Sequence, residues 1–154
     1  MKIIARDFEQ AGNPVVLSDD LILARWKKLV WNVPFNGLSV VEDKDTATIM
    51  ATPALRRKAH QLMCEVQAAA MAADGREIGD DFIEMMMDWT DRMEPYLPSM
   101  KLDFDAGRPM EVEAIFGAPV RAAKSAGCPV PAMSAMYEAL TRLSGNVAGN
   151  PSTD

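Results

Sequence analysis

Lys28, Asn32 and Asn36 stand at intervals of four in "RWKKLVWNVPFNGLS" (residues 25–39), a stretch that is apolar almost everywhere else. Four residues advance an α-helix by about 400°, so the three groups drift only about 40° per step along one stripe about 12 Å long. Leu23, Trp26, Leu29, Val30, Trp31, Val33, Phe35, Leu38 and Val40 cover the other directions, the pattern of a helix buried on most sides. A polar stripe inside a packed domain needs partners, because an unsatisfied buried amide or ammonium costs about 1–3 kcal/mol or more. Those partners are a neighbouring helix or a ligand. A second group lies downstream, where "SMKLDFDAGRPME" holds Ser99, Asp103, Arg108 and Glu111 within thirteen residues. As chemistry, the two halves offer a proton-bearing ammonium, two carboxamides, a hydroxyl and carboxylates. Each also has a plain structural role. Ser99 after Pro98 suits an N-cap, Asp103 and Arg108 can pair with each other at the surface, and Glu111 suits the first turn of a helix, where the dipole favours an acid.

The elements that must position these groups read as helices. "AGNPVVLSDD" follows a short amino-terminal helix and offers Ser18 or Asp19 as the N-cap of the long apolar helix. Pro34 inside that helix removes a backbone donor and frees the carbonyl of Val30, which predicts a kink or a break beside Asn32 and Asn36. From Pro53, Leu62, Val66, Ala69 and Ala73 recur at helical spacing until Asp74 and Gly75 end the run. Asp80 or Asp81 can cap the next helix, with Phe82, Met86, Trp89 and Met93 as its inward stripe until Pro95 and Pro98. Residues 98–109 hold a short turn of helix at best. A helix from about Met110 to Ala126 presents Val112, Ile115, Phe116, Val120 and Ala123, with Gly117 and Pro119 bending it and Gly127 ending it. Met133, Met136, Tyr137, Leu140 and Leu143 mark the last helix, and residues 144–154, "SGNVAGNPSTD", read as a mobile tail with nothing to bury. No alternating strand pattern, internal repeat or heptad run occurs. The expectation is a single all-α domain of five to six helices over residues 1–143.

Composition narrows the function classes. At 154 residues and 49% hydrophobic, the chain has enough apolar material for one real core. A formal net charge of -6 argues against a nucleic acid partner or an anionic membrane surface. Cys64 and Cys128 are too few for a disulfide framework, and no run approaches the roughly 20 apolar residues of a membrane span, so a soluble, cytoplasmic protein is expected. His60, set among Arg57, Lys58 and Gln61, is the single histidine; with no CxxC pair beside it, a surface role is expected and no metal. The twelve methionines read as adaptable packing, but Met85, Met86 and Met87 in a row force one of them outward or toward a partner. Trp31 and Trp89 read as core.

"RWKKLVWNVPFNGLSVV" followed by "PSMKLDFDAGRPMEVEAIFGAPVRAAKSAGCPVP" resembles the carboxy-terminal domain of ketopantoate reductase, 2-dehydropantoate 2-reductase, over about residues 5 to 143. The second motif, S-M-x2-D-x4-R-x2-E followed by G-x-P-V-R, is more specific than any single spacing. The family reduces ketopantoate, a small 2-keto acid, to pantoate with a hydride from NADPH. The resemblance implies that Lys28 is the general acid, that Asn32 and Asn36 hold the substrate and orient the lysine, and that Ser99 binds its carboxylate end. It places Glu111 at the substrate's hydroxyl end and beside the lysine, with Asp103 and Arg108 in a supporting shell. The residue types suit this: a ketone accepting hydride develops negative charge on oxygen, which an ammonium stabilises and then protonates.

Two departures from the family pattern stand out. Tyr96 occupies a position, three before Ser99, where the family often has a substrate-site asparagine. None of the nine glycines forms the G-x-G-x-x-G loop with which a Rossmann domain cradles a pyrophosphate. The sequence therefore looks like the catalytic half of a two-domain enzyme, unable to oxidise NADPH alone, with a Rossmann domain possible in trans. The alternative is a non-catalytic helical module derived from that domain, for which a homodimer is plausible.

Overall fold

The computed structural model describes residues 19–148, with side chains through residue 145. The expected amino-terminal helix lies outside the described residues. Among them the chain forms seven α-helices and no strand: α1 Leu21–Val41, α2 Thr46–Ala51, α3 Pro53–Asp74, α4 Asp80–Asp91, α5 Ser99–Asp105, α6 Ala118–Ser125, entered through a π-helical turn Glu113–Gly117, and α7 Pro131–Ala148. The count exceeds the expected five to six because α2 was not read from the sequence and the stretch after Pro98 makes a full seven-residue helix. Helix α7 runs through residues 144–148 as well, and residues 149–154 lie outside the described residues.

Helix α1 is the axis of the domain and packs chiefly on α3. Asp20, rather than Ser18 or Asp19, caps it, accepting from the Leu23 N–H at 2.9 Å. Pro34 does not break it: the helix continues through Val41, and residues 33–40 are buried without exception. Gly37 makes this approach possible. A Cβ there would lie 2.8 Å from Met136 Cγ and 3.0 Å from Phe116 Cζ, so α1, α7 and the π turn meet where α1 has no side chain. Gly75 ends α3 with φ 61°, a left-handed cap that suits glycine, as its sequence position foretold.

Two long-range polar contacts fix the helix ends. Pro131 is the first residue of α7, and the next two backbone donors, Ala132 and Met133, give their N–H groups to the two carboxylate oxygens of Glu65 on α3 at 3.0 and 2.8 Å. Lys101 on α5 is 5% exposed and sits between Asp43, at 2.7 Å, and Asp105. Burial alone would lower its pKa, but the hydrogen bonds to Asp105 and Asp43 prevail and raise it.

The inward stripe of α4 differs from the one expected. Ile83, Met87 and Thr90 are buried, whereas Trp89 is 52% and Met85 50% exposed. The helix carries two apolar stripes one residue apart, and the Thr90 hydroxyl tips the choice: it donates to the Met86 carbonyl at 2.7 Å and accepts the Trp31 indole N–H at 3.0 Å. Trp31 is half-buried and Trp89 is not core.

Candidate active-site cleft

Along α1 the polar stripe descends from surface to core: Lys28 is exposed, Asn32 half-buried, and Asn36 2% exposed. Lys28 and Asn32 line an open cleft of about 660 Å³ whose opposite wall holds Glu111, Ile115, Ala118 and Pro119 from the entry to α6. Asp74 closes one end, held by the Trp26 indole N–H at 2.7 Å. The cleft thus brings together an ammonium, a carboxamide and a carboxylate separated by up to 83 positions in the sequence. No hydrogen bond or ion pair joins Lys28 to Glu111 among the described residues, and both are exposed. The same Lys28 and Asn32 also line a hollow of about 370 Å³ with Trp31, Met85, Met86 and Trp89.

Asn36 plays a different part. Its Oδ1 accepts the Met100 backbone N–H at 3.1 Å. The N-cap of α5 is Pro98, which has no side-chain acceptor, so the carboxamide from α1 supplies the missing cap. Ser99 is therefore the first helical residue rather than an N-cap; it is exposed, stands next to the residue Asn36 holds, and lines neither the cleft nor the hollow. Asp103 and Arg108 pair with each other, Arg108 Nε and Nη2 reaching Asp103 Oδ1 at 2.9 and 2.8 Å, and also stand outside both spaces. Tyr96 presents its ring 6.2 Å from that of Trp31, while its backbone N–H donates to Thr46 Oγ1 at 3.1 Å and its carbonyl accepts from the Thr46 N–H at 3.0 Å.

His60 bridges Glu84, at 3.2 Å, and Cys64, at 3.6 Å. Burial and the charges of Asp80, Glu84 and Glu65 hold the Cys64 thiol above its usual value, which opposes thiolate formation. Among the described residues no group of three or more His, Cys, Asp or Glu is placed to hold a metal ion, and no helix is long and apolar enough to cross a membrane.

Sequence reasoning missed the apolar wall of the hollow, because Trp31, Met86 and Trp89 fit core positions by spacing. It also missed Lys101 and Glu65 as long-range anchors. Nothing in their local sequence distinguishes them from surface charges.

The helical array is shared with D-mandelate dehydrogenase, which superposes with a TM-score of 0.86 at 22% identity over 96% of this chain and 62% of its own, a likeness of fold. The family is closer. The model of the ketopantoate reductase PanE/ApbA C-terminal domain matches residues 20–144, and the chain belongs to that family. A 2-dehydropantoate 2-reductase from Nostoc sp. is 48% identical over 145 residues, covering 94% of this chain and 45% of the relative. The 2-dehydropantoate 2-reductase structure from Methylococcus capsulatus superposes with a TM-score of 0.90 at 35% identity, over 97% of this chain and 47% of its own. The chain spans about half the length of the curated relatives it matches.

Proposed function

We propose that this chain is the substrate-binding, catalytic domain of an NADPH-dependent 2-dehydropantoate 2-reductase-like enzyme, acting in the cytoplasm on ketopantoate or a related small 2-keto acid, in the biosynthesis of pantothenate and coenzyme A. The supporting observation is the convergence of Lys28, Asn32 and Glu111 on one open cleft. The Lys28 ammonium stabilises the charge that grows on the ketone oxygen and gives it a proton. Asn32, one turn along, orients the lysine and the substrate, and Glu111 faces both from the opposite wall. Asn36, whose Oδ1 is committed to Met100, acts by positioning Ser99 at the head of α5 toward the substrate's carboxylate end. Asp103 and Arg108 brace the loop that leads to Glu111.

NADPH supplies the hydride in this reaction. The described residues contain no strand and no glycine-rich turn at a helix amino terminus, so they do not fit the nucleotide, which a Rossmann domain would hold in the same polypeptide or in trans. The chain of 154 residues alone should not oxidise NADPH with ketopantoate; turnover by it would refute this division of labour. Joined to the nucleotide-binding half of the Nostoc relative, it should turn over, and Lys28→Ala should then lower kcat by about 10²–10⁴ with the fold intact. An unchanged kcat would remove Lys28 from the chemistry. The intact mass of the gene product from its source decides whether the nucleotide domain belongs to the same chain.

The exposed Trp89 and Met85 favour a second reading, a helical module that pairs with a copy of itself or with a partner. A dimeric ketopantoate reductase is known from Staphylococcus aureus, at 26% identity. In that case sedimentation should show a dimer that Trp89→Ala dissociates, and Lys28→Ala should leave cellular function unchanged.

A further inference from the structure

The hollow of about 370 Å³ plays no part in the proton transfer described above, yet it shares Lys28 and Asn32 with the cleft. Its remaining wall is Trp31, Met85, Met86 and Trp89, with Lys27 as the one further charged residue. The wall is also braced. The Trp31 indole N–H is tied to the buried Thr90 hydroxyl at 3.0 Å, its ring lies 5.0 Å from Phe35, and Trp89 meets it edge-on at 6.3 Å. Fixed aromatic faces beside flexible thioethers make a surface that receives flat or branched apolar groups of varied outline. An enclosed apolar cavity of about 150 Å³ already holds a benzene ring; an open hollow more than twice that size admits a ring with its methylene linker.

Resting on the reading of Lys28 and Asn32 as the carbonyl-binding pair, we infer that the hollow is a specificity subsite for the side chain of the 2-oxo acid, and that it takes a bulky apolar substituent, aryl or branched alkyl. A substrate whose ketone oxygen lies at Lys28 directs its carboxylate to one side and its carbon substituent to the other. The polar cleft with Glu111 suits the hydroxyl function. On the aromatic wall the Trp31 N–H is already committed to Thr90. The Tyr96 ring lies 6.2 Å from that of Trp31, outside the lining of the hollow.

Calorimetric titration of the chain with pyruvate, ketopantoate and phenylpyruvate tests the inference. Phenylpyruvate should bind about tenfold or more tightly than pyruvate, as burial of a ring implies. Trp89→Ala should abolish that ratio and leave pyruvate affinity unchanged, and Trp89→Phe should restore most of it. Since Trp89 is half-exposed, the fold is not at stake. Equal affinities, a ratio that survives Trp89→Ala, or no phenylpyruvate binding would overturn the subsite. So would a Trp89→Ala effect confined to pairing with a nucleotide-binding domain, which would make the hollow a wall between domains. Lys28→Ala separates the two readings: it should weaken pyruvate and phenylpyruvate alike, and if it weakens neither, the assignment of the carbonyl site fails independently of the ratio.

Discussion

Replacing Asn36 by alanine separates a clamp from a substrate contact. Asn36 is 2% and Met100 1% exposed, and the 3.1 Å bond between Asn36 Oδ1 and the Met100 N–H supplies the side-chain cap that Pro98 cannot. Truncation leaves that N–H buried without an acceptor, at a cost of about 1–3 kcal/mol. Against the 5–15 kcal/mol typical of whole domains this is a large fraction. With a urea m-value of about 2 kcal/mol/M, the unfolding midpoint should fall by about 0.5–1.5 M at constant m. Amide exchange adds the location: protection at Met100 and through α5 should drop before that of α3. A side chain that only touched substrate would show the opposite, an unchanged midpoint with weakened ligand binding. A midpoint within about 0.2 M of the parent, with Met100 still protected, would refute the clamp.

Glu65→Ala should be comparably costly, about 2 kcal/mol, because it removes the acceptors for two donors at the start of α7; urea unfolding reads it, and Glu65→Gln should lose less. Gly37→Ala gains about 1 kcal/mol of helix propensity but drives a Cβ to 3.0 Å from Phe116 and 2.8 Å from Met136, costing about 1–3 kcal/mol, so net destabilisation is expected in the same assay. The Lys101 cluster predicts a pH dependence. A hydrogen bond and the charge of Lys101 hold the Asp43 carboxyl below its usual value, so the unfolded chain binds more protons there; its contribution is present above about pH 4 and lost as pH falls through the depressed folded value. The Lys101 ammonium is raised, so its own contribution is complete below its ordinary 10.5 and lost as pH climbs through the higher folded value. Lys101→Met should flatten both arms of a plot of Tm against pH, and unchanged arms would remove the cluster from the balance.

How much of this was legible depends on the range of the interactions. The buried stripes of α3 and α7 and the Gly75 cap follow from spacing and local conformation, which the sequence displays directly. The family resemblance set Lys28, Asn32, Ser99 and Glu111 around one site, of which Lys28, Asn32 and Glu111 line the cleft and Ser99 does not; helical periodicity places Lys28 over Asn32 but says nothing of what stands opposite. Asn36 was expected at the substrate, yet a buried carboxamide beside a proline-headed helix serves as its cap, and the partner is 64 residues away. In α4 two apolar stripes competed, and an indole N–H donated from another helix to the Thr90 hydroxyl selected the inner one. The continuity of α1 through Pro34 reflects the eight buried positions from 33 to 40, where packing outweighs one lost backbone bond.

Those eight positions seat the carboxy-terminal part of α1 in the core, and Trp26 and Val30 hold its amino-terminal part, so the exposed ammonium rides on a helix anchored on both sides of it. At a rise of 1.5 Å per residue, Lys28 lies only about 8 Å beyond Val33. Such a helix has a registry. Adding or removing one residue between positions 28 and 33 would leave residues 33–40 seated but turn the lysine about 100° away from Glu111. Descendants of this chain are accordingly freer to change side chains along α1 than to change its length.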